Sequence, residues 1–366
     1  MPPAVAPPHV MKMARLIPAL LLLALCLAAC GGSAGPGVAL GKKIAFLLPD
    51  TQSTRYEGQD APLFAAKVKS LCSDCTIDYR NAHGDASAQL TEAQSALAGG
   101  AGVLVLDPVD PAAAASIVAK AKARHVPVIA YDRLVLNAPG VTYFVSFDDA
   151  AVGPIQADGL LAALKGKVNP TVVMINGDAG DGAAKLLKVG VQDALSGRLT
   201  FTKTYDTPVQ GPDNAQTEMA DALQTLHTVD AVYAADDGGA GGAVAALTAA
   251  GVKPLPPVIG AGAELKAVQR ILAGQQYMTV YKSIRKEAES AAQLAYDLVY
   301  GVPVQPALTG GKTVDNGSTT IQALLVSPVA VTRPTVVSTV IADGYWTKAD
   351  LCVDQYAAGC AAVGIS

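Results

Sequence analysis

Polar side chains collect where the apolar runs of this chain end. Asp50 and Arg55 follow the run 44–49, Asp107 closes 102–107, and Asp132 and Arg133 follow 127–131. Asp178 and Asp181 come after 171–176, Asp236 and Asp237 after 231–235, and Lys282 after 277–281. In open parallel α/β sheets, ligands bind outside the carboxyl ends of the strands. Carboxylates and guanidinium groups around a cleft can bond the hydroxyls of a neutral polyol in bidentate fashion, while an aromatic face covers its C–H surface. Tyr56, beside Arg55, stands where such a face is needed. Taken singly, each acid is also what a capping carboxylate after any strand looks like, and an exposed Asp132–Arg133 pair would be worth little.

Catalytic patterns fail on context. Gly31-Gly32-Ser33-Ala34-Gly35 matches a nucleophile elbow, but no strand precedes it and no helix follows. Gly311-Lys312-Thr313 ends like a phosphate loop, with Pro306 where the first glycine must be. His83, His125 and His227 have no metal-ligand spacing. The glycines at 177, 180 and 182 and at 238–242 form no firm dinucleotide fingerprint; they let backbone N–H groups approach a ligand. No enzyme, cofactor or metal is expected.

The elements that must hold these residues alternate. Apolar strand runs (44–49, 76–81, 102–107, 127–131, 142–147) are interleaved with helical spacing at 56–71, with 86–98 closed by Gly99–Gly100, and with a helix opened by Asp110–Pro111. The same alternation resumes from 171 to 281, followed by a long helix over 283–300 and a strand over 320–326. Near-continuous apolar strands between helices predict parallel sheets covered on both faces. About ten strands are too many for one compact sheet with a single switch point, so two similar lobes are expected, breaking near Phe147–Asp148.

With 366 residues and 51% hydrophobic content, the chain is too apolar for disorder and long enough for two domains. Its net charge of −4, without basic clusters, excludes nucleic acid as an expected partner. Lys12 and Arg15 precede an apolar stretch over 16–29, too short to span a bilayer. Leu27-Ala28-Ala29-Cys30 resembles a bacterial lipobox, which would make Cys30 the acylated N-terminus; in an ordinary signal peptide Cys30 would be incidental. The Gly/Ala/Ser-rich segment to Gly41 suits a tether. The protein is therefore expected outside the cytoplasm, lipid-anchored to a membrane.

Beyond the leader stand Cys72, Cys75, Cys352 and Cys360. An even count in an exported chain reads as disulfides, and the short spacings suggest Cys72–Cys75 and Cys352–Cys360 among three connectivities. The CxxC could also serve redox or zinc chemistry, but it follows a helix rather than opening one.

In order along the chain come PD at 49–50, RYE at 55–57, LVLDPV at 104–109, IAYDR at 129–133, YFVSFD at 143–148, AGGA at 240–243, ILAG at 271–274 and MTVYK at 278–282. With these the chain resembles the type I periplasmic binding proteins of bacterial ABC sugar importers, most of all the D-xylose-binding group. The resemblance implies two Rossmann-like lobes joined by a three-strand hinge and closing on one sugar. Lobe one would take 42–147 plus 282–325, and lobe two with the hinge 148–281 plus 326–366, after a signal peptide at 1–29 and a tether at 30–41. It also implies ligand contacts at Arg55, Asp132, Arg133 and Lys282, with Tyr56 as the first stacking aromatic.

The departures gather in lobe two. Asp181-Gly182-Ala183 stands where relatives have Asp-Asn-Asn, and Gln210 where they have a stacking tryptophan. Ala235-Asp236-Asp237 replaces Ala-Asn-Asp, and Gly260-Ala261-Gly262-Ala263 replaces Gly-Gln-Asp-Ala. The expected function is a monomeric, lipid-anchored solute-binding protein that delivers a xylose-like or other monosaccharide to an ABC permease. Its ligand would be held by Asp50, Arg55, Tyr56, Asp132, Arg133 and Lys282, and by Asp181, Gln210 and Asp236 from lobe two. The alternative is a ligand-binding sensor lipoprotein with altered specificity.

Overall fold

The computed structural model describes residues 42–51, 55–178, 182–206 and 211–365. The leader, the tether with Cys30, and the candidate residues Asp181 and Gln210 lie outside the described residues. The first elements are β1 (Lys43–Leu48), α1 (Ala61–Leu71), β2 (Thr76–Asn81), α2 (Ala86–Ala98), β3 (Ala101–Leu106), α3 (Ala115–Lys122), β4 (Val128–Tyr131) and β5 (Val141–Phe147). A second series follows: α4 (Val152–Ala163), β6 (Val172–Asn176), α5 (Gly182–Leu195), β7 (Lys203–Asp206), α6 (Pro212–Thr225), β8 (Ala231–Ala234), α7 (Asp237–Ala249), β9 (Val258–Ile259), α8 (Leu265–Leu272) and β10 (Met278–Tyr281). The chain closes with α9 (Ile284–Tyr300), β11 (Thr313–Asp315), β12 (Thr320–Val326), β13 (Val329–Thr332) and short helical turns.

The strands form two sheets, ordered β11-β12-β5-β4-β3-β1-β2 and β13-β10-β9-β8-β6-β7. All pairs are parallel except β11–β12 and β10–β13. The chain crosses from the first sheet to the second after β5, returns after β10, and crosses again between β12 and β13. Alternation along each strand explains the helical layers. In β1, Ile44, Phe46 and Leu48 pack with Phe64 and Val68 of α1 and Ala288 of α9. Ala45 and Leu47 face Ala93 of α2 and Ile117 of α3. The second sheet repeats this, with Met174 toward α4 and α5, and Val173 and Ile175 toward α6 and α7. Strands covered on both faces carry no polar alternation, as β3 shows by being buried throughout.

The structure departs from the expectation in three places. The stretch expected to be helical from Tyr56 begins as a π-helical turn, Tyr56–Asp60, before α1. Asp110 accepts hydrogen bonds from the Ala112 and Ala113 N–H groups at 2.8 and 2.9 Å, as a cap should, yet regular helix starts only at Ala115. Strands β11 and β13 escaped the pattern because each is short, antiparallel and only partly covered. Cys72–Cys75 and Cys352–Cys360 are both bonded, with Cα–Cα distances of 5.4 and 5.8 Å.

Candidate ligand-binding site

Parallel strands bring their carboxyl ends to one edge, so residues far apart in sequence meet beyond β1, β3 and β4. Asp132 turns the chain sharply with φ of 56°, a left-handed conformation that aspartate tolerates better than most residues. The turn is fixed by its N–H to the Val145 carbonyl at 2.9 Å and by the Ser146 hydroxyl donating to the Asp132 carbonyl at 2.8 Å. Its side chain thereby meets Arg55 and Tyr56. Arg55 donates to Asp132 at 3.1 Å, and the Tyr56 hydroxyl donates to its other oxygen at 3.3 Å.

The two arginines are held very differently. Arg55 donates to Asp60 through Nε and Nη2, at 3.0 and 2.7 Å, and through Nη2 to Glu287 at 2.6 Å. Asp60 also accepts from the Tyr131 hydroxyl. Burial works against the charge on Arg55, but the Asp60 hydrogen bond and the charges of Glu287 and Asp132 outweigh it and raise its pKa. Burial in turn pushes Glu287 well up and Asp60 up, against the pull of Arg55. Arg133 has 41% of its side chain exposed and only loose partners. Asp50 and Asp107 lie 3.7 and 3.8 Å away, the Tyr56 hydroxyl accepts at 3.2 Å, and the Pro108 carbonyl at 3.4 Å. Asp107 is fully buried and, among the described residues, neither of its carboxylate oxygens accepts a hydrogen bond. Burial, reinforced by Asp132, pushes its pKa well above the ordinary value.

Lys282 joins this group through an aromatic ring. Its ammonium lies 5.1 Å from the Phe147 centroid and the Arg55 guanidinium 5.5 Å from the same ring, both within cation–π range. Lys282 also pairs with Asp149 at 3.2 Å. Asp50, Arg55, Tyr56, Asp132 and Arg133 thus gather at the strand ends of the first sheet, and Lys282, just past β10 of the second sheet, reaches them through the Phe147 ring. Asp60, Tyr131, Phe147 and Glu287 complete the constellation and were not singled out from sequence. A signal for two of them was present. Asp60 stands four residues before Phe64 on the buried face of its helical stretch, and Glu287 shares a face of α9 with Ile284, Ala288 and Ala291. An acid on an apolar face must find a buried partner.

The end of β8 in the second sheet is organised inwardly. Asp236 caps α7, accepting from the Gly239 N–H at 2.6 Å. Asp237, fully buried, accepts from the Thr279 hydroxyl at 2.7 Å, the Gln276 amide at 2.9 Å and the Glu264 N–H at 3.0 Å. Arg270 ties the same knot by donating to the Asp237 carbonyl at 2.7 Å and to Gln276 at 2.9 Å. Gly260 leaves room for it: a Cβ there would lie 2.3 Å from an Asp237 carboxylate oxygen. The glycine at 260 thus goes with a carboxylate bonded within its own lobe.

Taken together, the first sheet offers partly exposed donors and acceptors. The Tyr56 ring, expected to stack on a ligand, is buried in the core with Phe147 and presents only its hydroxyl to Asp132 and Arg133. The polar set suits a neutral polyhydroxylated molecule. Comparison with known proteins gives a family to this geometry. Residues 44–302 match the model of the periplasmic binding protein domain. The chain is 32% identical over 314 residues to the D-xylose-binding periplasmic protein of Haemophilus influenzae, covering 84% of this chain and 91% of that one. Its counterpart in Escherichia coli is 31% identical over 317 residues, covering 84% and 92%. Among solved structures, an ABC transporter solute-binding protein from Clostridium phytofermentans with bound β-D-glucose aligns with a TM-score of 0.63 at 26% identity, over 84% of this chain and 99% of that one.

Proposed function

The chain belongs to the periplasmic binding protein domain family, among the sugar-binding proteins of ABC transporters, and from that premise we propose that it is a lipid-anchored receptor that captures one monosaccharide between two closing lobes and presents it to an ABC permease. It is a binding protein and not an enzyme. The observation that carries the ligand class is the convergence of Arg55, Tyr56, Asp132 and Arg133 beyond β1 and β4, with Arg133 loosely held and accessible. A pyranose of the xylose or glucose size accords with the relatives named above.

Lobe one would comprise 42–147 and 282–325, and lobe two with the hinge 148–281 and 326–366. Closure follows from binding because only the closed state contacts the ligand from both sides. The inward use of Asp237 and the small residues at 260–263 leave lobe two with fewer groups for sugar hydroxyls. Each hydroxyl buried without a partner costs about 1–3 kcal/mol, against about 8 kcal/mol for micromolar binding. The specificity is accordingly proposed to differ from that of a strict xylose binder, with lobe one dominating affinity.

Calorimetric titration with pentoses, hexoses and disaccharides tests this reading. It expects one monosaccharide to bind at about micromolar Kd, and silence across the panel would refute it. Replacing Cys30 by alanine tests the anchor: the protein should leave the membrane fraction, and retention there would exclude lipidation at Cys30.

A further inference from the structure

We propose that Tyr345 is a third source of ligand contact, reaching the sugar from the C-terminal segment rather than from either strand-end cluster; this rests on the sugar-binding reading above. Tyr345 follows Gly344, whose φ of 68° turns the chain, and its own N–H bonds the Val340 carbonyl at 2.9 Å. The ring packs on the core of the first sheet and on the C-terminal core beside the second. It lies 4.9 Å from Tyr281, where the chain crosses between sheets, and 5.0 Å from Trp346. The Trp346 indole N–H donates to the Ala263 carbonyl at 2.8 Å, which fastens the pair to the loop that follows β9.

The hydroxyl is unspent: among the described residues, that of Tyr345 makes no hydrogen bond, whereas those of Tyr56, Tyr131 and Tyr281 all do. A half-buried ring with a free donor and acceptor, set between the core of the first sheet and the C-terminal core and against Tyr281 at the end of β10, is suited to a sugar, offering an apolar face and one hydrogen bond. It would offset part of what lobe two has given up at 260–263. The adjacent Trp346 is the only tryptophan of the chain, so its emission reads out events at this point.

The test uses the full protein and the tightest-binding monosaccharide of the panel. Tyr345→Phe keeps the ring and removes the hydroxyl, so the melting temperature should stay while Kd rises about three- to tenfold, the worth of one neutral hydrogen bond. Among monodeoxy derivatives of that sugar, the one lacking the contacted hydroxyl should bind wild type and Tyr345→Phe alike, closing a double-mutant cycle. Wild-type binding should also change Trp346 emission. An unchanged Kd in Tyr345→Phe, or an equal loss for every deoxy derivative, overturns the assignment while leaving the sugar-binding reading intact. No binding by wild type would instead bring down both.

Discussion

The strand ends of the two sheets both carry charged residues, and Arg133 of the first and Asp237 of the second use their charge in opposite ways. Beyond the first sheet, Arg133 touches four partners, none closer than 3.2 Å, and keeps a substantial part of its side chain in solvent. Beyond the second, Asp237 accepts three hydrogen bonds of 2.7 to 3.0 Å and has no exposed surface. Asp236 beside it serves as a helix cap. A charge at a strand end is available to a ligand only when its bonding capacity has not been consumed by the fold. The same contrast divides the first sheet internally, where Arg55 binds Asp60, Asp132 and Glu287 and Arg133 is left to reach outward.

That division has measurable consequences. The largest is expected at Arg55, because Arg55→Ala would leave Asp60 and Glu287, both fully buried, without their cation. Breaking a buried pair costs about 3–5 kcal/mol, to be read as a lower urea midpoint without ligand. A variant of wild-type stability would show that Arg55 is not structural. Next comes Gly260→Ala, whose methyl would collide with Asp237 and lie 2.9 Å from the Gln276 amide. Overpacking of this kind costs about 1–3 kcal/mol, and an unchanged melting temperature would mean that the Asp237 knot yields easily. Asp236→Ala should cost about 1 kcal/mol as a lost cap, with Asp236→Ser restoring it. If serine restored stability but not affinity, Asp236 would be a ligand contact as well as a cap.

A further effect is a change in pH dependence. Burial holds Asp107 well above its ordinary 3.8, so the folded state binds this proton more tightly than the unfolded one. The stability it contributes is therefore present at low pH and lost as pH rises from the unfolded value through the folded one. Asp107→Asn removes that loss. Urea unfolding should show the variant gaining on wild type as pH is raised from about 4 to about 8, across and above the ordinary carboxylate range. A constant difference would mean that Asp107 stays ionised in the fold throughout.

Much of this was legible from sequence because strand ends announce themselves. The apolar run before Asp132–Arg133 and the Arg55–Tyr56 pair led directly to residues that now lie within hydrogen-bonding distance. What stayed hidden was pairing across long separations. Glu287 reaches Arg55 over 232 residues, and only its place on the apolar face of α9 hinted at a buried partner. The inward turn of Asp237 was equally opaque, since the groups that claim it, Thr279 and Gln276, sit in and just before β10. Side chains of identical type cannot be sorted into spent and unspent until their partners are known.

The central claim is that the first sheet's loosely held arginine grips the ligand. Paired calorimetric titrations of wild type and Arg133→Ala with the tightest-binding sugar, each with a melting curve, test it most directly. The account predicts a loss of about 10- to 150-fold in affinity, as expected when a charged hydrogen-bonding group of about 1.5–3 kcal/mol goes. The melting temperature should barely move. An Arg133→Ala variant that binds as wild type does would contradict the account and move the site away from the first sheet's strand ends.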